Sequence, residues 1–251
     1  MTPSSSLSLD DVSHHWHETR PLFAPLTYEG RARRPRRRVY YLWHRGALSE
    51  PSRSRVKRVF DVTSAGIALA VLSPFLVAVA AAIKVTSPGP IFFTQDRYGY
   101  RNRRFRIYKF RTMHTTMSDR SGVTQTVGDD PRVTILGRIL RKTSIDELPQ
   151  LINVVLGDMS LVGPRPHVPG MKAASVKYED LVPYYFQRHN IRPGITGLAQ
   201  VSGCRGSTAL ADAAVSRVDY DLQYIERWSL WLDIKIIVRT IRHEFFSGTG
   251  I

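Results

Sequence analysis

Between Arg141 and Gln150 the chain reads Arg-Lys-Thr-Ser-Ile-Asp-Glu-Leu-Pro-Gln, which sets two adjacent carboxylates, Asp146 and Glu147, just after two cations. A carboxylate can attack phosphorus and form an acyl phosphate, dividing one difficult transfer into two easier ones. That attack needs the charge on a diphosphate neutralised, by Mg²⁺ and by Arg or Lys side chains. Proline is tolerated only in the first turn of a helix, so Pro149 predicts a helix starting near Ile145 or Asp146. The pair would then sit at the positive end of a helix dipole, which favours an ionised carboxylate and an anionic ligand beside it. The same residues also form a capping box, Ser144-x-x-Glu147, which needs no chemistry at all. Residue types alone leave both readings standing.

These side chains need a scaffold. Ile91 to Thr94, after the turn Ser87-Pro88-Gly89-Pro90, reads as a short strand. Phe105 to Met113 alternates apolar and basic residues with period two, predicting a strand with one basic face. Helical spacing marks 134–142, 146–157 and 172–190. A long last helix is predicted over 217–246, with Leu230, Ile234, Ile237, Ile241 and Phe245 on one stripe. Lys235, Arg239, Arg242 and His243 lie opposite, and Trp228 and Trp231 sit near its start. Such a helix either lies in a membrane interface or packs on the core.

From Val62 to Ile83 no residue is charged. This run is about 22 residues, or roughly 33 Å as a helix, enough to cross a bilayer core. Ser73-Pro74 falls in its middle, where proline removes a backbone hydrogen bond and bends a helix. Both flanks are basic: Arg53, Arg55, Lys57 and Arg58 before, then Lys84, Arg97, Arg101, Arg103 and Arg104 after. Positive flanks resist translocation, so neither end is marked as the outer one. A helix that enters, breaks at Ser73-Pro74 and returns to the same side satisfies both features. The alternatives are a kinked single span and a buried core helix.

Composition narrows the classes. The chain has 251 residues, 43% of them hydrophobic, enough for one sizeable domain with its own core. The 36 Lys and Arg exceed the 21 Asp and Glu, giving +15, so an anionic partner is expected. Residues 1–52 form a basic, largely disordered arm containing Arg31, Arg33, Arg34 and Arg36 to Arg38, suited to anionic headgroups. One cysteine, Cys204, excludes an intramolecular disulfide and a Cys-based zinc site. No cleavable signal peptide is expected at the amino terminus. A basic nucleic-acid-binding protein would fit the charge, but it needs no membrane-length apolar run and no nucleic-acid motif is present.

Further motifs accumulate in order. They are Lys57-Arg58-x-x-Asp61, Ser73-Pro74, Ser87-Pro88-Gly89-Pro90, Gln95-x-Arg97 and Tyr108-Lys109-Phe110-Arg111-Thr112-Met113. Asp130-Pro131-Arg132-Val133-Thr134, Ser144 to Gln150, Gly157 to Pro166 and Arg192-Pro193-Gly194-Ile195-Thr196-Gly197 follow. In these, from about Lys57 to Ile251, the chain resembles the bacterial sugar transferases, the monotopic phosphoglycosyl transferases that prime exopolysaccharide synthesis.

The resemblance implies an α+β, mainly helical fold. It comprises a re-entrant membrane helix over 53–86 and a cytoplasmic catalytic domain over 87–251, with short strands and interfacial amphipathic helices. It implies transfer of a sugar-1-phosphate from a UDP-sugar to undecaprenyl phosphate, with UMP released, at the cytoplasmic face of the bacterial inner membrane. Asp146 matches the family's nucleophile and is the implied Mg²⁺ contact, and Glu147 matches its partner in activating the acceptor. Lys109, Arg111 and Arg141 match phosphate-binding residues. Pro164-Arg165-Pro166 matches a motif associated with the uridine nucleotide, and a guanidinium suits that role because it stacks on bases and forks onto phosphate. Asp61 reads as structural. Implied partners are inner-membrane lipids and, as an allowed partner, a second copy in a homodimer, with no nucleic acid. Ser202 to Gly206 and Tyr220 to Ser229 resemble the hexose-1-phosphate branch, with glucose favoured. Asn102 stands where the family usually has glycine, and a basic tail replaces the amino-terminal membrane bundle of longer relatives. A relative that kept the fold and lost activity, serving as a membrane scaffold, is the remaining alternative.

Overall fold

The structure is a computed structural model. It describes residues 51–115, 130–204 and 210–247, the side chains of 52 and 245–247 excepted. Nearly all of the basic arm, and Arg205 and Gly206 of the Ser202 to Gly206 motif, lie outside the described residues.

A 32-residue helix, α1 (Arg55–Thr86), opens the body, capped by Ser54, whose hydroxyl accepts from Lys57 N at 3.2 Å. It is long and apolar enough to cross a membrane, with a mean hydropathy of 2.4 over its best window. Only 6% of that window is buried, and Ile67, Val71 and Val77 are each more than 60% exposed, so α1 is not a core helix. The helical run continues through Pro74, the residue at which the break is expected. Proline cannot donate to Ala70 O, and the Ser73 hydroxyl takes that acceptor instead at 2.8 Å. Both ends of α1 meet the same body. Ala65 packs with Ile107, Leu151, Val154 and Met159, while Ile83 packs with Phe110 and Leu140. A straight helix projecting out of the body would carry Ile83 about 27 Å beyond Ala65 and out of reach.

Strands β1 (Phe92–Tyr98) and β2 (Arg104–Phe110) form an antiparallel ribbon, Phe92 opposite Phe110 and Tyr98 opposite Arg104. β1 runs on to Tyr98, past the expected end at Thr94, whereas β2 stops at Phe110, and Met113 joins Val133 only by an isolated bridge. Period-two spacing anticipates one basic face. In the ribbon Arg104 and Arg106 are exposed, whereas Arg111, just past it, is buried. At the tip Asn102 is left-handed (φ 61°), as a glycine substitute must be, and so is Arg101 (φ 55°).

Helix α2 (Ile135–Lys142) follows, with Thr134 as its cap. The helix expected from 146 does not start there. Ile145–Glu147 is a 3₁₀ turn, and α3 spans Gln150–Leu156 with Pro149 at its cap. Ser144 is left-handed (φ 53°), which turns the chain before Asp146. Its hydroxyl makes no cap; it donates to Glu244 Oε2 at 3.0 Å, so the capping box does not form. Strand β3 (Ser160–Val162) pairs in parallel with β6 (Gly194–Thr196). Gly163 and Gly194 touch backbone to backbone there, so a Cβ on Gly194 would strike Gly163 N.

The segment 172–190 is not a helix. It contains the two-residue strands β4 (Lys172–Ala173) and β5 (Val176–Lys177), a single turn α4 (Tyr178–Leu181) and a 3₁₀ run Tyr185–Asn190. After α5 (Leu198–Val201), the last helix proves to be two, α6 (Ala211–Glu226) and α7 (Leu230–Ser247). Ser229 caps the second, its hydroxyl accepting from Leu232 N at 3.1 Å. The core face of α7 is Leu232, Asp233 and Ile236. Most of the apolar stripe lies elsewhere: Leu230, Ile234 and Ile237 are half-buried, and Ile241, with Trp231 and Val238 beside it, is exposed.

Candidate active site

The side chain of Asp146 is buried, with only 8% of the residue exposed. Among the described residues its carboxylate accepts no hydrogen bond, although Lys109, Arg141 and Arg165 act on it electrostatically. Burial, reinforced by the Glu147 charge, pushes its pKa up to about 6 against the pull of those cations. Asp146 lies in the 3₁₀ turn that leads into α3 rather than in the first turn of that helix.

Glu147 is arranged in the opposite way. Lys109 Nζ donates to its Oε1 at 2.6 Å, and the Arg165 fork donates to Oε1 at 2.6 Å and Oε2 at 3.1 Å. Burial alone would raise its pKa, but Arg165 and Lys109 outweigh burial and hold it well below the usual carboxylate range. So one neighbour is buried and partnerless, and the other is clamped and ionised.

Arg141, on the last turn of α2, donates through Nε to Thr112 Oγ1 at 2.8 Å. Its terminal nitrogens make no hydrogen bond among the described residues, which leaves a held guanidinium free at its tip. Arg111 is placed differently. It is buried, and it donates to Pro88 O, Ser87 O and Ser87 Oγ at 2.6–2.7 Å, locking the turn that follows α1. The structure therefore brings Asp146, Glu147, Lys109, Arg141 and Arg165 together and commits Arg111 to the scaffold. Pro164 and Pro166 flank Arg165 and fix φ on either side of it.

Asp61, read as structural, accepts from Ser160 Oγ at 2.5 Å and from Leu161 N at 3.2 Å. It joins Lys57, which donates to Asp233 Oδ2 at 2.7 Å and Val162 O at 3.2 Å. Sequence reading missed Asp233 in this role, and also Arg188 and Glu244. The partners are 176 positions apart in one case and 100 in another, and no local spacing marks such pairs.

A Mg²⁺ ion fits the donor set in one particular way. No group of three or more His, Cys, Asp or Glu side chains that could hold a metal exists among the described residues. Mg²⁺ commonly binds through one or two carboxylates plus substrate phosphates and water, and the partnerless Asp146 carboxylate suits that arrangement.

The family model for bacterial sugar transferases matches residues 52–247. An exopolysaccharide production protein, PSS, from Rhizobium leguminosarum bv. phaseoli is 51% identical over 195 residues, covering 78% of this chain and 98% of that protein. An undecaprenyl-phosphate glucose phosphotransferase from Komagataeibacter xylinus is 51% identical over 191 residues, 76% of this chain but 36% of that protein. A UDP-glucose:undecaprenyl-phosphate glucose-1-phosphate transferase from Caulobacter vibrioides is 50% identical over 185 residues, covering 74% and 68%. With the match spanning most of the chain, the turn that carries Asp146 and Glu147 included, this protein belongs to the bacterial sugar transferase family.

Proposed function

We propose that this protein transfers glucose-1-phosphate from UDP-glucose to undecaprenyl phosphate, releasing UMP and priming exopolysaccharide synthesis. The observation that carries this reading is the Asp146 carboxylate, buried and without a hydrogen-bond partner beside a clamped Glu147. Neither Asp146 oxygen is among the fully buried unpaired atoms, so the carboxylate keeps an opening, as a nucleophile for phosphorus needs.

In the first step an Asp146 oxygen attacks the phosphorus that bears the sugar. The bond to the bridging oxygen breaks, UMP leaves with that oxygen, and a phosphosugar remains esterified to Asp146. In the second step an oxygen of undecaprenyl phosphate attacks the same phosphorus. The acyl phosphate breaks, the carboxylate is restored, and the diphosphate-linked sugar is formed. Bound through Asp146 and the substrate phosphates, Mg²⁺ would neutralise charge on the diphosphate. Arg141 and Lys109 would hold the phosphates, and Arg165 would hold the nucleotide.

The clamp on Glu147 suggests how acceptor activation is timed. A carboxylate held so far below its ordinary range is a weak base. The substrate's phosphates compete for the same Lys109 and Arg165, and once they take these cations Glu147 becomes a stronger base for the acceptor. For the membrane, we read α1 as re-entrant, with the catalytic body on the cytoplasmic face of the inner membrane. Support comes from basic flanks on both sides and from Ala65 and Ile83 packing on one body. The exposed Trp231, Val238 and Ile241 ridge of α7, with Lys235 beside it, suits the headgroup layer.

The test is nucleotide release by detergent-solubilised protein given Mg²⁺, undecaprenyl phosphate and a panel of UDP-sugars. UMP release that is greatest with UDP-glucose and lost in Asp146→Asn is expected. Release of UDP would show that sugar moves without its phosphate, and would overturn the reading.

A further inference from the structure

The segment Pro164 to His167 lies against three elements, β1, the 3₁₀ run Tyr185–Asn190 and β6, and each of its four carbonyls has its own donor. Pro164 O accepts from Gly194 N at 3.0 Å, and Arg165 O accepts from Arg188 NH2 at 2.7 Å. Pro166 O accepts from Arg97 NH1 at 3.3 Å, and His167 O accepts from Tyr98 N at 3.0 Å. Two prolines fix φ within the same stretch. The backbone is thus pinned at every step, and the Arg165 side chain leaves it to fork onto Glu147.

Among these donors Arg188 stands apart. It is 1% exposed, and its guanidinium is held by Asp221, itself 2% exposed, through Nε and NH2 at 2.8 and 2.7 Å. The NH2 that grips Asp221 also grips Arg165 O, while NH1 is buried without a partner. A buried ion pair of this kind is often no more stabilising than an apolar pair of equal volume. Stability alone therefore gives little reason for a guanidinium here, whereas its reach to a single carbonyl gives a specific one. Neither residue touches Asp146 or Glu147 by any hydrogen bond in the structure, so their influence on the site runs through the Arg165 backbone.

We infer that Arg188, oriented by Asp221, is a positioning residue that sets where the Arg165 guanidinium lands and thereby tunes the affinity for the nucleotide sugar. This rests on the proposed role of Arg165 as a substrate ligand. Without the Arg188 bond the Arg165 carbonyl loses its donor and the fork loses its aim, while Asp146 keeps its place in the turn before α3. The consequence belongs to binding more than to the chemical step.

The experiment is a double-substitution cycle on the full chain in detergent, reading UMP release with UDP-glucose, undecaprenyl phosphate and Mg²⁺. Arg188→Lys keeps the charge but loses the fork. It is expected to raise KM for UDP-glucose about tenfold with kcat changed less than about threefold, the pattern of lost uniform binding. In an Arg165→Ala background the same substitution is expected to change kcat/KM by less than about twofold, because its route is already cut. Effects that multiply independently would overturn the inference while leaving the role of Arg165 intact. If Arg165→Ala itself leaves KM unchanged, the role of Arg165 fails and this inference falls with it. Should Arg188→Lys not fold, Asp221→Asn takes its place in the cycle. Failure of both to fold would assign the pair to stability and overturn the proposal.

Discussion

The foot of α1 and the Asp146 turn are built from the same ingredients and finished differently. At the foot, Lys57 lies between Asp61 and Asp233, and all three are buried. Each carboxylate there is fully employed. Asp61 holds Ser160 and Leu161, while Asp233 accepts from Lys57, from Tyr224 Oη at 2.7 Å and from Trp228 Nε1 at 3.1 Å. At the turn, two carboxylates face three cations, Lys109, Arg141 and Arg165, yet Asp146 accepts nothing. Completed partners mark a structural cluster, since a buried charge is tolerated when it is paired and hydrogen-bonded. Incomplete partners together with surplus positive charge mark a place kept for an anion. Burial and charge type alone would not have separated the two.

Several substitutions can break or sharpen this contrast. The largest effect is expected from Asp146→Asn, which should cut turnover by at least ~10³-fold while leaving thermal stability unchanged or slightly raised. UMP release and a melting curve on the same preparation check both halves, and a large loss of stability would place Asp146 with the structural cluster. Lys57→Met should do the reverse. It leaves Asp233 and Asp61 uncompensated and should cost about 3–5 kcal/mol of stability, with the activity of the surviving folded protein retained. Glu147→Gln should lower kcat/KM by ~10²-fold, the order of a lost acid–base partner, and leave folding intact.

Acidity gives a gentler test. Asp146 works as the carboxylate, and its pKa stands raised to about 6, so its protonated, inactive fraction grows as pH falls through that value. The acid limb of kcat/KM should therefore sit near pH 6 and move lower with rising Mg²⁺, since a cation at Asp146 favours ionisation. The smallest effect belongs to Ser73→Ala. It removes the hydroxyl that satisfies Ala70 O and should cost about 1 kcal/mol in detergent, read as a lower melting temperature.

Much of the site could be read in the chain, but its wiring could not. Asp146, Glu147, Lys109, Arg141 and Arg165 sit in compact motifs whose residue types already suit phosphate chemistry, and the structure gathers all five. Arg111 reads like its neighbour Lys109, two residues away, yet it goes to Ser87 and Pro88 because the ribbon ends between them. Local pattern also misled in 172–190, where apolar spacing resembles a helix although Pro183 supplies a stop signal. The turn between β4 and β5 uses left-handed Ala174 and Ser175, residues that turn rules do not favour. The division between α6 and α7 lacks glycine and proline, and only the capping chemistry of Ser229 marks it. Pairs such as Arg188 with Asp221, or Lys57 with Asp233, depend on tertiary placement that periodicity cannot encode.

The most direct measurement of the central claim is intact-protein mass spectrometry after incubation with UDP-glucose and Mg²⁺ without any lipid acceptor. The account predicts release of UMP together with a mass gain of one hexosyl phosphate on Asp146, discharged by added undecaprenyl phosphate and absent from Asp146→Asn. Lipid-dependent turnover with no adduct, or an adduct mapped to another residue, would contradict it.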